Sequence, residues 1–176
     1  MPIEDLAVDS PQRASSAWDY RLVVLRHHGC VYRVARALLG DAAEAEDVTQ
    51  ETFVRYWQHS ARVERPREWL VKVARNLCLD RLRKAGRYLS SAPDELPEQR
   101  DDRDPEWHYE QRELAQELER AIATLSEPQR SLVVLFDVQG MSTDECARIV
   151  GINVNQVKVY LHRARRRLRL KLEESR

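Results

Sequence analysis

From Ser142 to Arg167 the chain places a Ser-Thr-Asp-Glu145 start, Gly151 and an Asn153-Val-Asn-Gln156 start. Lys158, His162, Arg163, Arg165, Arg166 and Arg167 follow within the next turns. This is a capped short helix, a turn and a longer basic helix, the arrangement of a helix-turn-helix whose second helix lies in the major groove. Only a helix or a thin ribbon fits that groove; side chains early in the helix reach base edges, while downstream arginines neutralise phosphate. An ordinary helical hairpin with a basic tail would share the spacing.

Two further clusters carry chemistry. Residues 41–51 hold Asp41, Glu44, Glu46, Asp47 and Glu51 with no base among them. On a helix Asp47 and Glu51 share a face and Gln50 lies beside them. Such a patch suits a basic partner surface. A helix N-terminus favours acids through its dipole, which accounts for Glu44 and Glu46 but not for Gln50 and Glu51. The third cluster lies behind Pro66. Trp69, Leu70, Val73, Leu77 and Leu82 line one side of a helix there, while Lys72, Arg75, Asn76 and Arg83 point elsewhere. The cations offer phosphate contacts and Asn76 an amide. Phe53, Trp57 and Trp69 sit at core spacing.

Other chemistry is missing. His27-His28-Gly-Cys30 does not read as a metal site, because adjacent ligands on a helix diverge and no complementary pair is near in sequence. No nucleophile–base constellation or glycine-rich phosphate loop is evident, so neither catalysis by this chain alone nor a cofactor is expected.

The elements that must position these residues are helical. Residues 1–17 read as a loose arm. The spacing Trp18, Leu22, Leu25, Tyr32, Ala35 and Leu38/Leu39 predicts a helix to Gly40. Asp41 and Glu44 resemble a capping box that opens a helix to about His59, with Val48, Thr52, Phe53, Tyr56 and Trp57 on one face. Pro66 suits a first helical position. Residues 86–105 hold Gly86, three prolines and dense charge, and read as a linker. Beyond it, Leu114, Leu118, Ile122 and Leu125 recur at helical spacing. Ser126-Glu-Pro128-Gln129 reads as a capped start for a helix of about 128–138, and the stripe of the last helix is Val157, Leu161, Ala164, Leu168 and Leu172. The expectation is an all-α chain of two small helical domains, 18–87 and 106–176, joined by a flexible acidic linker over 88–105.

Composition excludes several classes. Among 176 residues, five Gly and seven Pro are too few for an all-β protein rich in tight turns. The longest apolar run, Leu132–Phe136, is far short of the roughly 20 residues that span a bilayer, so no membrane insertion is expected. Acids and no apolar core at the start lead to the expectation of no secretory signal, and three scattered cysteines fit a reducing cytoplasm. The 29 Lys+Arg balance 29 Asp+Glu, which by itself argues against nucleic acid. The order of charges reverses that. Residues 62–87 carry nine bases against three acids, and residues 157–176 eight against two, a net +6 in each case. Residues 93–119 carry eleven acids against three bases, a net −8. The zero is a cancellation between distinct surfaces.

With these motifs in order, the chain resembles the bacterial σ factors of the extracytoplasmic-function type (ECF, group 4). Ala45-Glu-Asp-Val-Thr-Gln-Glu-Thr-Phe53 with Trp57 resembles their region 2.2, and Trp69-Leu-Val-Lys-Val-Ala-Arg-Asn76 through Asp80 to Arg83 their region 2.4. Gly140-Met-Ser-Thr-Asp-Glu-Cys-Ala147, Gly151-Ile-Asn-Val-Asn-Gln-Val-Lys158 and Leu161-His-Arg-Ala-Arg165 resemble region 4.2. The resemblance implies a protein that binds core RNA polymerase and directs promoter-specific initiation. Asp47, Gln50 and Glu51 would dock on the β′ clamp helices, and the β flap would be a second contact. Lys72, Arg75, Asn76 and Arg83, with the loop Ser60–Arg65, would bind the −10 element. Lys158, Val159, His162, Arg163 and Arg166 would contact the −35 element. An anti-σ partner is implied as well. Where many members read Pro-x-Gly-Thr-Val, this chain has Asn153-Val-Asn-Gln-Val157; Asn153 still caps a helix, and Val159 can meet only a thymine methyl. A stand-alone helix-turn-helix regulator would explain residues 105–176 but not the acidic cluster.

Overall fold

The computed structural model describes the backbone of residues 11–86 and 106–174, and the side chains of 19–86 and 115–173. The described residues hold seven α-helices, a 3-10 turn at Ser60–Arg62 and a π turn at Val134–Val138, with no strand among them. The first three, α1 (Pro11–Leu39), α2 (Ala42–His59) and α3 (Pro66–Lys84), pack against one another. The second group is α4 (Glu106–Ala123), α5 (Gln129–Val133), α6 (Thr143–Val150) and α7 (Val154–Glu174). The expected linker over 88–105 lies outside the described residues.

Local chemistry sets most helix ends. Pro11 begins α1, in keeping with proline's preference for the first turn. Residues 11–17 are therefore helix rather than part of an arm, and Gly29 does not interrupt it. Asp41 caps α2 by accepting from the Glu44 amide at 2.7 Å. Ser126 does not cap α5 with its side chain; its carbonyl accepts from the Arg130 amide at 3.1 Å instead. The π turn Val134–Val138 continues α5, and Gly140, at φ 63°, ends the run in a conformation that favours glycine.

The core shows where apolar periodicity misleads. Val31, Val34, Ala35, Leu38 and Leu39 are the buried face of α1. Leu22 and Leu25, expected on that face, are 62% and 80% exposed on the opposite side. The amino-terminal part of α1 carries apolar residues on two faces, and only the one bearing Val23 and Val24 packs on the core. Trp57 is likewise 49% exposed, while Phe53 is buried and Trp69 half-buried. Thr49 and Thr52 tolerate full burial because their hydroxyls donate to the Ala45 and Val48 carbonyls at 2.7 Å. In the second half Leu132, Val134, Leu135, Met141, Val157 and Ala164 are buried, whereas Leu118 is 40% exposed.

Leu70 on α3 has no exposed surface. Leu70→Ala is expected to cost about 2–5 kcal/mol in urea denaturation, from lost transfer energy and a residual cavity. A loss well under about 1 kcal/mol would contradict this packing.

Candidate nucleic-acid interface

The helix-turn-helix is built by two reciprocal caps and one glycine. Ser142 Oγ accepts from the Glu145 amide at 3.2 Å, and Glu145 Oε2 accepts from the Ser142 amide at 2.8 Å. Gly151, at φ 80°, ends α6 in the left-handed region, which a side chain would strain. Asn153 and Gln156 then repeat the reciprocal pattern at the start of α7, at 2.8 and 3.0 Å. The absence of a proline and glycine here therefore leaves the turn intact. Cys146 and Ile149 of α6 are buried with Val157, Leu161 and Ala164 of α7.

That packing turns the other side of α7 outward. Lys158, Val159, His162, Arg163 and Arg166 are all exposed, Val159 by 47%. Tyr160 is half-buried against the core, so it and His162 face different ways. Not every cation of α7 is available. Arg165 lies over the Phe136 ring and pairs with Asp137, and Arg167 reaches Gln129 Oε1 at 3.4 Å. The Asp137 carboxylate, by accepting from Arg165, raises that guanidinium's pKa further.

On α3 the expected residues divide. Lys72, Asn76 and Arg83 are exposed, with Arg83 donating to Asp80 at 2.9 Å. Arg75 is buried. Its Nε donates to Ser131 Oγ at 2.8 Å and its Nη2 to Glu127 Oε2 at 3.2 Å. In this arrangement it faces the turn before α5 rather than solvent, so a phosphate cannot reach it. Beside α3 the loop 60–65 forms a cavity of about 300 Å³ with Arg62, Val63, Arg65, Glu68, Trp69 and Lys72 on its wall. Arg148 and Ile149 of α6 close its other side. Arg148 donates to both Glu68 oxygens at 2.8 and 2.9 Å, which holds the Glu68 carboxyl below its ordinary pKa.

The acidic cluster lies on α2. Asp47 and Gln50 are exposed and Glu51 half-exposed. Arg81 approaches Asp47 and Glu51 at 3.9 and 3.8 Å, and Arg55 pairs with Glu51 at 2.6 Å. These are rim contacts in high dielectric, so the carboxylates stay open to a partner. Sequence reading missed two neighbours. Val54 is 55% exposed and Trp57 49%, and their spacing from Asp47 and Gln50 extends the same face with apolar surface. The available signal was that Val54 lies off the core stripe of Val48, Thr52, Phe53 and Tyr56.

The histidine–cysteine stretch is spent on packing. His28 stacks on Phe53 with ring centroids 6.0 Å apart and approaches Glu46 at 3.9 Å. Burial lowers the His27 pKa, helped by Arg26 and Arg67. Burial also pushes the Cys78 thiol up to about 12 and the Cys146 thiol up to about 11. The thiolate is the nucleophile, so near pH 8 both stay almost entirely protonated. A disulfide reagent should modify Cys30, which is only half-buried, in native protein and the other two only on unfolding. Titration of three thiols in the folded protein would contradict this.

Known proteins share this architecture. The Sigma-70 region 2 family matches residues 23–88, and the Sigma-70, region 4 family matches residues 115–168. SigL of Mycobacterium tuberculosis, an ECF RNA polymerase sigma factor, is 37% identical over 168 residues, 92% of this chain and 93% of its own. The ECF factor SigE of Mycolicibacterium smegmatis is 36% identical over 166 residues; the match spans 90% of this chain and 62% of that longer relative. In solved structures, the sigma factor RpoE of Bartonella quintana, in complex with NepR, superimposes with TM-score 0.70 at 24% identity over 90% of this chain and 99% of its own. CnrH, in complex with the cytosolic domain of CnrY, does so with TM-score 0.66 at 25% identity, over 93% and 96%. The chain belongs to the ECF RNA polymerase σ-factor family.

Proposed function

We propose that this chain, as a group 4 σ factor, works in the cytoplasm as the non-catalytic specificity subunit of RNA polymerase, binding the core enzyme and directing it to promoters. The observation that carries this is the pairing, in one chain, of a capped helix-turn-helix whose second helix turns Lys158, Val159, His162, Arg163 and Arg166 outward with an exposed acidic face on α2. A DNA-binding regulator acting alone has no need of the second surface.

In this reading Asp47, Gln50 and Glu51 meet basic residues of the β′ clamp helices, with Val54 and Trp57 supplying apolar contact. A groove of about 540 Å³ on the second half, with Leu118, Ile122, Val133, Val138, Leu168 and Leu172 on its wall beside the charged Asp137, Arg165, Arg169 and Glu173, suits an amphipathic element of the β flap. Lys72, Asn76 and Arg83 act on the −10 element, and Arg75 joins them once freed from Glu127. Extruding a base there costs a few kcal/mol, offset by the cavity beside loop 60–65 and by phosphate contacts. An anti-σ partner is supported by relatives: the RpoE structure contains the anti-sigma factor NepR.

Footprinting tests the whole reading. Protection of the −35 and −10 elements should require core polymerase, with the free chain protecting little. A strong footprint by the chain alone, unchanged by polymerase, would favour the stand-alone regulator instead.

A further inference from the structure

Three amide side chains stand at the start of α7, and the cap employs two of them. Asn153 Oδ1 accepts from the Gln156 backbone amide at 2.8 Å, and Gln156 Oε1 accepts from that of Asn153 at 3.0 Å. Asn155, the third, is exposed, and among the described residues no hydrogen bond engages its side chain. The helix is already capped without it, and asparagine is a weaker helix former than alanine. Local structure therefore gives no reason for a carboxamide at this place.

Its direction does. Val157, Leu161, Ala164 and Leu168 form the buried stripe of α7. At 3.6 residues per turn, Asn155 points nearly opposite that stripe. Lys158 and Val159 come three and four residues later, His162 seven and Arg166 eleven, so Asn155 lies in the middle of the face they present. It is also the first of them from the amino-terminal end, the part of a recognition helix that meets base edges. Beside it is a hollow of about 290 Å³ walled by Asn153, Asn155, Gln156, Val159, Tyr160 and Arg163. Val159 makes one wall apolar and Arg163 another cationic; Asn155 adds the carboxamide that the cap leaves uncommitted.

A carboxamide sets an acceptor and a donor side by side. In the major groove that pair matches adenine, whose N6 amino group donates and whose N7 accepts. Guanine shows two acceptors there and suits arginine instead. We infer that Asn155 is a specificity-determining residue of the −35 contact, reading one adenine through N6 and N7 in addition to the contacts of Lys158, Val159, His162 and Arg163. Where many family members carry the glycine of Pro-x-Gly-Thr-Val, with no side chain to reach a base, this chain has acquired a contact. The inference rests on the reading of α7 as the −35 helix and names one base that it recognises.

The test is selection from duplexes with a randomised −35 region, by holoenzyme reconstituted from core polymerase and the full chain, wild type or Asn155→Ala. Wild type should enrich adenine at one position that the variant fills indifferently, the other positions keeping their preferences. On the selected duplex Asn155→Ala should lower affinity about tenfold. Replacing that adenine by 7-deazaadenine, which lacks the N7 acceptor, should cost wild type about fivefold and the variant nothing. Asn155→Asp, which can accept from cytosine N4, should move the preference at that position from adenine to cytosine, a change that a folding defect would not produce. Identical preferences in the wild-type and alanine pools would overturn the assignment. So would an even loss of affinity across sequences, the mark of a phosphate contact, or indifference of wild type to 7-deazaadenine. If neither pool converges on any sequence, α7 does not read the −35 element, and the proposed function falls together with the role of Asn155.

Discussion

Asp47→Lys combined with Glu51→Lys should weaken binding to core RNA polymerase at least about a hundredfold, because like charges placed across an interface cost several kcal/mol. Both residues sit on the solvent side of α2, with Val48, Thr52 and Phe53 buried beneath them. Reversal therefore leaves the core untouched. It does place two ammonium groups near Arg81 and Arg55, which now pair with these carboxylates. Exposed pairs are worth little, so melting should shift slightly while polymerase affinity collapses. Asp47→Asn with Glu51→Gln separates the two effects: it removes the attraction without adding repulsion, and should lie between wild type and the reversal. Trp57→Ala probes the apolar extension of the same face and should lower affinity without a matching loss of stability, since Trp57 is half outside the core. Unaltered affinity after the double reversal would remove α2 as the docking surface.

The second large effect lies on α7. Lys158→Ala and Arg163→Ala should each reduce discrimination at the −35 element, a good bidentate contact being worth about 1–3 kcal/mol against the wrong base. Arg166→Ala should instead weaken −35 duplex binding by holoenzyme evenly across sequences, and flatten the slope of log affinity against log salt by about 0.9. The distinction follows from position. Lys158 and Arg163 lie in the first three turns beyond the Asn153 cap, and Arg166 one turn further along the exposed side. Arg165→Ala is the internal comparison: its guanidinium is already committed to Asp137 and Phe136, so its loss should act on stability before DNA. Identical salt slopes for the Lys158, Arg163 and Arg166 variants would contradict the division between base and phosphate contacts.

Features set by short spacing were legible in the sequence. The caps at Asp41, Ser142 and Asn153 depend on a partner three residues away; those at Ser142 and Asn153 form reciprocally, and at Asp41 the aspartate accepts from the Glu44 amide. The acidic face of α2 and the outward side of α7 follow from helical periodicity alone. What escaped depends on contacts distant in the chain. Arg75 looked free because nothing near it in sequence competes for it; its partners are 52 and 56 residues on. Leu22 and Leu25 looked like core because α1 carries apolar side chains on two faces, and only the packing of α2 and α3 selects between them. Trp57 misled for the opposite reason. Its helical spacing fits the buried stripe, yet Tyr20 meets it edge-on at 4.9 Å and leaves much of its ring in solvent. The Glu68–Arg148 pair joins residues 80 apart, beyond any local pattern.

Run-off transcription tests the central claim most directly. Purified core polymerase, the chain and promoter templates from its own genome should yield discrete transcripts that depend on the chain. The Asp47→Lys/Glu51→Lys variant should abolish them, and loss of the −35 element should do the same. Transcripts indifferent to the chain, or retained in full by that double variant, would contradict the account.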